Sequence, residues 1–484
     1  MVKKITTIYA NKWQRPYLKK LLILTAIVFF NFVRPISVFA VGSGGFENAT
    51  FSAKSLAQSN AVVAQADEPA AISYNPAGIV FLPGIQAQTN TAFISAFTFQ
   101  RNPDTGSHTT STGTINFVPT GYITINPGPL LGNRVAFGVG SDSPFGLSKK
   151  YDSASPIAHY TGYETSLKMY TIKPVAAVKV TDWFSLSAGP VYYRIFDFKG
   201  VQAYPNKNQF FPTLADGQVR LNLSGNTWGW QLGALLKLHP KHQFGFYFRS
   251  PVTVFTRGLI KVENSAYYTG GNFETGGNAK ISLPLNFTWA YAFKPSDKTT
   301  IETDLGYTRW SIHRRLFINA DPVGTTDDQI LAAIGKADKD YADGFTIGLS
   351  ANHTFKNKIT LMGGIDYRWA AVPNDHYIPA VPDSNRLSFG VGVSYAALKS
   401  MDVSLGYYNS FFLNRTINNS ISESLGTSVD GKYFSYLQDI VLSVTLKWDD
   451  AFTRFIRKTK TIEDNKTENT ILTSTLAPSS AAKS

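Results

Sequence analysis

The chain of 484 residues contains no cysteine, which leaves it without disulfides and without thiolate chemistry. Charge is also sparse: Asp, Glu, Lys and Arg make up 16%, against the ~25% of ordinary soluble domains. Beyond residue 40 no apolar run reaches eighteen residues, so no membrane-spanning helix is available there. Neither G-x-S-x-G nor His-Glu-x-x-His occurs, and His239 and His242 in "HPKH" fall in a short turn, so no catalytic or metal-binding motif stands out. A secreted chain of this size without cross-links must be held by packing or by closed backbone pairing.

What is present is aromatic (14%), rich in glycine and patterned. The first forty residues combine Lys3, Lys4, Lys12, Arg15, Lys19 and Lys20 with the apolar run Leu21 to Phe30 and the small-residue end Val38-x-Ala40. This is the layout of a secretory signal peptide cleaved after Ala40, an uncleaved anchor being the alternative. Removing residues 1–40 removes seven basic and no acidic residues, so the formal charge falls from +13 to +13 − 7 = +6. Much of the basicity is therefore targeting, and nothing points to a nucleic-acid partner.

The mature part alternates strictly. Ile440, Leu442, Val444, Leu446 and Trp448 share one face, with Val441, Ser443, Thr445 and Lys447 on the other. Similar runs predict fourteen strands, near 89–101, 113–126, 134–143, 167–180, 183–199, 217–238, 242–263, 276–294, 298–313, 339–354, 358–370, 385–398, 401–414 and 433–448. They are long enough for the ~9–11 residues of a tilted membrane strand, and aromatics such as Trp228, Trp369, Tyr395 and Trp448 stand at ends of apolar faces. A soluble sandwich also alternates, but here short and long connections alternate too, as periplasmic turns and extracellular loops do. The expected fold is all-β: a 14-stranded antiparallel transmembrane β-barrel spanning 86–449. An open edge in lipid would cost several kcal/mol per unpaired group, about the strength of a lost backbone hydrogen bond, so the barrel must close.

Two segments lie outside the wall. Residues 450–484 read as a flexible periplasmic tail. Residues 41–85 are small and polar and end in "SYNPAGIVFLPG" (73–84). Pro76 forces an extended or turn conformation on Asn75, and Gly78 admits backbone angles other residues avoid. This knot is either a linker turn into the first strand or part of a domain filling the lumen, which a barrel this wide needs.

Four stretches carry a family resemblance: "GFENATFSAKSLAQSNAVVAQADEPAAISYNPAGI", "SPFGLSKKYD" (143–152), "LPLNFTWAYAFKPSDKTTIETDLGYTRWS" (283–311) and "VPDSNRLSFGVGVSY" (381–395). In that order they resemble the FadL / OmpP1 / TodX family of outer-membrane long-chain fatty acid and hydrocarbon transporters. The chain departs from it in having "LAQSNA" where a glycine-arginine pair is usual, and in a tail after Trp448 that makes any signal to the barrel-assembly machinery internal. The resemblance implies a monomer in the Gram-negative outer membrane, among lipid and lipopolysaccharide, with no cofactor and no enzymatic activity. It implies an N-terminal hatch (41–85) inside the barrel and passive uptake of long-chain fatty acids or, alternatively, toluene-like hydrocarbons. A general porin or an outer-membrane lipase are the other readings.

On that resemblance Asn75, Pro76, Ala77 and Gly78 are the gating candidates. Ligand-binding candidates are the loop residues Phe210, Phe211, Leu214, Tyr267 and Tyr268, together with Arg249, Arg368 and Arg386, which strand parity turns into the lumen. Ion pairing with Asp304, Asp366 or Glu302 is the competing role for these arginines. Gly140, Ser141 and Pro144, poor ladder formers at the end of the third strand, are candidates for a lateral opening.

Overall fold

The computed structural model describes residues 45–102, 106–113, 115–206, 214–266, 271–324, 327–418 and 428–448. Fourteen wall strands follow in chain order: β1 (Ile85–Arg101), β2 (Ile115–Ile125), β3 (Val135–Ser141), β4 (Glu164–Lys179), β5 (Phe184–Tyr204), β6 (Gly217–His239), β7 (His242–Arg249 and Val252–Glu263), β8 (Phe273–Leu283 and Asn286–Ser296), β9 (Thr299–Thr308), β10 (Gly344–Thr354), β11 (Ile359–Arg368), β12 (Arg386–Leu398), β13 (Met401–Phe412) and β14 (Gly431–Trp448). Each pairs antiparallel with the next, and β14 returns to β1 in unbroken register from Ile85↔Trp448 to Arg101↔Lys432. That closure leaves no edge strand, which is what lipid demands of a sheet.

The wall is apolar outside and polar inside. Leu361, Ile365, Leu387, Val391, Leu405 and Leu442 are exposed, whereas Ser388, Asp366, Asn409, Asp439 and Ser443 are buried. In a soluble protein this would be inverted; here the apolar faces meet acyl chains.

Several predicted boundaries shift for identifiable reasons. β1 begins at Ile85 rather than 89, because its first residues pair with the end of β14. The runs predicted as continuous at 242–263 and 276–294 are each interrupted at a proline, Pro251 and Pro284. A proline cannot donate to the ladder, yet the register is kept across both breaks (Arg249↔Asn286, Val252↔Leu283), which sets the two prolines opposite each other. The predicted strand 298–313 stops at Thr308 and becomes a short 3-10 turn at Trp310–Ile312.

Residues 45–84 are almost wholly buried inside this wall. They contain α1 (Ala53–Ala57), with a Ser52–Ser55 capping box, and two 3-10 helices, Pro69–Ser73 and Pro76–Phe81. α1 lies on a glycine seat: a Cβ on Gly364, Gly390 or Gly406 would come within about 2.4 Å of the backbone at Gln58, Leu56 or Ala53. The signal peptide and tail expected at 1–40 and 450–484 lie outside the described residues.

Candidate functional site

The third strand is where the wall is incomplete. β3 pairs with β2 from Ile125↔Phe137 up to Gly121↔Ser141, and the ladder stops there. The chain leaves the wall at Asp142–Gly146 and then rejoins β4 at Leu147–Lys150. Ile115–Thr120 of β2 therefore pair with β1 alone, until Thr112 donates to the Lys150 carbonyl above the break. Gly140 and Ser141 belong to the last paired rungs, and Pro144 to the excursion.

The excursion is held from inside by the N-terminal segment. Asn48 N–H donates to the Pro144 carbonyl at 2.8 Å, Gly146 N–H to the Phe46 carbonyl at 2.9 Å, and the Asn48 side chain to the Ser143 carbonyl at 2.9 Å. Asp142 accepts from Lys173 Nζ and Ser73 Oγ, each at 2.5 Å, and from Thr171 Oγ1. Lys173 and Asp142 are completely buried. One carboxylate thus joins the broken strand, the neighbouring wall and the 3-10 turn just before the Asn-Pro knot.

Asn75 is itself fully buried. Its amide donates to the Val63 carbonyl at 2.8 Å and to the Ala234 carbonyl of β6 at 3.0 Å, while its oxygen accepts from Ala77 N–H at 3.3 Å. Ser185 of β5 donates to the Ala77 carbonyl at 2.9 Å. A Cβ on Gly78 would stand 2.0 Å from the Ala66 carbonyl oxygen, so only glycine fits. The knot is thereby tied to β5 and β6, while Ile72 and Ser73, immediately before it, reach β3 and Asp142. Asn75→Ala removes three hydrogen bonds worth about 1 kcal/mol each and takes a partner from two carbonyls and the Ala77 N–H. It is expected to leave the barrel folded and heat-modifiable but to raise deuterium exchange across 61–80, measured by mass spectrometry.

The middle of the segment is held by Glu302 and Asp304 on β9. Glu302 accepts from Ala64 N–H at 2.6 Å and Gln65 N–H at 3.0 Å; Asp304 accepts from Val62 and Val63 N–H at 3.2 and 3.3 Å. Parity correctly turned both inward, but their partners are backbone amides rather than the arginines. Arg249 instead meets Glu47 at 2.9 Å and lies over the Phe145 ring; Arg368 meets Asp366 at 2.7 Å, as anticipated. Arg386 is buried beside Phe412.

Above Phe46, between the long loops, lies a largely apolar cavity of about 370 Å³ lined by Leu147, Leu167, Ile281, Leu316 and Val381 among others. Its floor is a ring cluster in which Phe46 meets Trp310 (4.9 Å), His313 (5.5 Å) and Phe145 (6.1 Å). Phe145 belongs to the excursion, so floor and wall break share a residue. From the loop 309–343 the cavity is lined by the titratable residues His313, Asp338, Lys339 and Tyr341, of which Asp338 pairs with Arg315. Burial, with Lys339 nearby, lowers His313 to about 4, so its ring is neutral near pH 7; it lies 3.2 Å from the Ser282 carbonyl. Burial lowers Lys339 to about 8, and among the described residues no carboxylate lies within ion-pair distance of its ammonium.

Of the loop candidates, Leu214 is half-buried and does not line this cavity; Phe210, Phe211, Tyr267 and Tyr268 lie outside the described residues. Phe46, Lys339, His313 and Tyr341 were not anticipated. Phe46 comes from the N-terminal segment and the other three from the two ends of the loop 309–343, and no spacing signals their convergence. The His239 and His242 rings lie 5.5 Å apart and tilted on either side of their turn, with His242 bonded to Tyr291.

A closed fourteen-strand barrel with an inward-packed N-terminal segment and one broken wall strand defines the class of outer-membrane channels for hydrophobic compounds. A model of the family of outer membrane protein transport proteins (OMPP1/FadL/TodX) matches residues 36–448, and the chain belongs to that family, one of transporters rather than enzymes. It is 23% identical over 412 residues to outer membrane protein P1 of Haemophilus influenzae, covering 75% of this chain and 85% of that one. The long-chain fatty acid transport protein of Escherichia coli strain K12 is 23% identical over 407 residues, with coverages of 75% and 87%. Among solved structures, a Pseudomonas aeruginosa FadL homologue superposes with a TM-score of 0.71 at 17% identity (83% and 99% covered), and the Pseudomonas putida toluene transporter TodX with 0.62 at 15% (82% and 98%). At these identities the structures speak for the fold alone.

Proposed function

We propose that the protein admits long-chain fatty acids by passive diffusion, from the loop cavity past the Phe46 floor and out sideways through the break beside β3. The observation that carries this reading is the cavity itself: largely apolar walls that hold Lys199, already paired with Glu164, and Lys339, whose ammonium has no carboxylate within ion-pair distance among the described residues. Its volume lies within the ~300–1,000 Å³ range of small-molecule sites. An apolar chain gains from leaving water for such walls, and a carboxylate head group supplies the anion that Lys339 lacks. Residues 45–84 then act as a hatch: shifting Phe46 and Asn48 would unseat the excursion at Pro144–Gly146 and clear the way to the unpaired side of β2. No energy source enters this route.

The relatives include both fatty acid and toluene transporters, and Lys339 is what favours the former. A hydrocarbon has no use for a buried ammonium. Lys339→Ala is expected to weaken oleate binding by a factor of about ten to a hundred, the worth of a charged hydrogen bond at about 1.5–3 kcal/mol, and to leave toluene binding unchanged. The free ammonium is charged below about pH 8 and neutral above it. Oleate affinity should therefore decline as pH rises from about 8 in the parent protein, and stay level in Lys339→Ala. Calorimetric titration of the purified barrel from pH 6 to 10 reads both. Oleate binding that ignores both Lys339 and pH, beside strong toluene binding, would transfer the assignment to hydrocarbons.

A further inference from the structure

The outer surface of β5–β8 carries a group of cations that neither transport nor barrel closure uses. Ladder register places Tyr170, Arg194, Asn226, Phe255 and Lys280 in one row across β4 to β8. The next row toward the long loops holds Ser224, Arg257 and Asn278. These positions face outward, since Phe255 in their midst is 62% exposed and Trp228, one row below, 63%. Arg257 and Lys280 are exposed and Arg194 half-buried, and Lys280 Nζ lies 5.3 Å from the Phe255 ring.

Height fixes the environment. Phe255 stands thirteen residues up β7 from His242 at the short-turn end. At ~3.3 Å per residue and the usual tilt, that is about 32 Å along the normal, just past the ~25 Å apolar band. Tyr192 and Trp228, in contact at 5.1 Å, mark the upper girdle directly beneath. Arg194, Arg257 and Lys280 therefore sit at head-group level of the outer leaflet.

The acids of this sector already have partners. Asp197 pairs with Lys168 and Glu274 with Lys261, each at 2.8 Å, and Glu164 with Lys199. Glu263 stands three rows above Arg257. Among the described residues no carboxylate lies within ion-pair distance of Arg194, Arg257 or Lys280. On the far side of the barrel, the outward positions of β10–β13 hold no lysine or arginine. Outward cations elsewhere in the wall strands include Arg101 and Lys432, opposed to each other at the loop end of β1 and β14, so the group on β5–β8 is set apart by having three members within two adjacent rows.

We propose that Arg194, Arg257 and Lys280, with the Asn226 and Asn278 amides between them, bind the phosphates of a phosphorylated glycolipid of the outer leaflet. Arg194 and Lys280 are three strand steps apart, roughly 14 Å at ~4.8 Å per step, wide enough for a disaccharide bearing a phosphate at each end. Guanidinium groups match phosphate oxygens two at a time, and the acyl chains descend over Trp228 and Trp230. The bound glycolipid would form a fixed annulus on the side of the barrel reached from β4, next to the break at β3.

The test uses the full-length protein in detergent, titrated with lipid A and with its fully dephosphorylated form, read by native mass spectrometry. Lipid A is expected to remain bound through detergent exchange while the dephosphorylated form leaves. The triple variant Arg194→Gln/Arg257→Gln/Lys280→Gln should lose at least about tenfold in affinity, and the triple lysine/arginine swap that keeps all three charges should retain most of it. Heat-modifiability on gels verifies that each variant is folded. Equal retention of dephosphorylated lipid, or undiminished lipid A binding by the glutamine variant, would overturn the assignment. So would displacement of lipid A by equimolar oleate, which would make the patch a carboxylate site.

Discussion

Replacing Glu302 and Asp304 together by alanine is expected to convert the closed channel into an open pore. These two carboxylates accept four consecutive backbone N–H groups, from Val62 to Gln65, at the point where the N-terminal segment crosses the lumen. A hydrogen bond contributes about 0.5–1.5 kcal/mol net, so four of them outweigh any other single attachment of that segment. Removing them strands four amides in a buried site, each at about 1–3 kcal/mol. The wall does not depend on them, because β9 keeps its full ladders to β8 and β10. The variant should therefore fold, remain heat-modifiable, and let residues 58–66 leave their place. Planar-bilayer recordings should show a conductance absent from the parent, and cells should become sensitive to large hydrophilic antibiotics. A sealed double variant would mean that the Asn75, Ser185 and glycine-seat contacts hold the plug unaided.

Alternation read along the chain was enough to find all fourteen strands, because each wall residue meets only lipid or lumen and the two environments select opposite side chains. Connection lengths added the orientation. What alternation could not show is where pairing fails. Pro251 and Pro284 break the ladder without disturbing register, so the pattern runs straight through them. At β3 the sequence flagged Gly140, Ser141 and Pro144, but only the backbone shows that the ladder survives to Ser141 and fails after it. The lumen charges followed the same division. Parity turned Arg249, Arg368, Glu302 and Asp304 inward correctly, and Asp366 is indeed the partner of Arg368, two residues away on the same strand. Glu47, the partner of Arg249, is 202 residues distant, and the partners of Glu302 and Asp304 are backbone amides. Main-chain groups leave no trace in a sequence. Lys339 illustrates the harder case: nothing distinguishes it in "KADKDYADG" until the loops around it have closed.

The second large effect is expected at Asp142. Asp142→Ala leaves the Lys173 ammonium completely buried and without its carboxylate, and breaking one half of a buried pair costs about 3–5 kcal/mol. The loss would be felt locally, since Asp142 is also what Ser73 and Thr171 bond to, and its removal uncouples the 3-10 turn at Pro69–Ser73 from β3 and β4. Thermal unfolding followed by gel mobility should therefore shift to markedly lower temperature. Lys173→Met in the same background removes the stranded charge and fills much the same volume, so the double variant should regain most of that stability. Uptake separates the two roles of the network. If Asp142 matters only as the counter-charge, Asp142→Ala/Lys173→Met takes up hydrophobic compounds like the parent. If it also sets where the excursion and the turn before Asn75 rest, as its three partners on two further segments, β4 and the 3-10 turn, indicate, the double variant is stable and its uptake stays altered by several-fold. A single Asp142→Ala variant as heat-resistant as the parent would remove the network from any account of how this wall is held open.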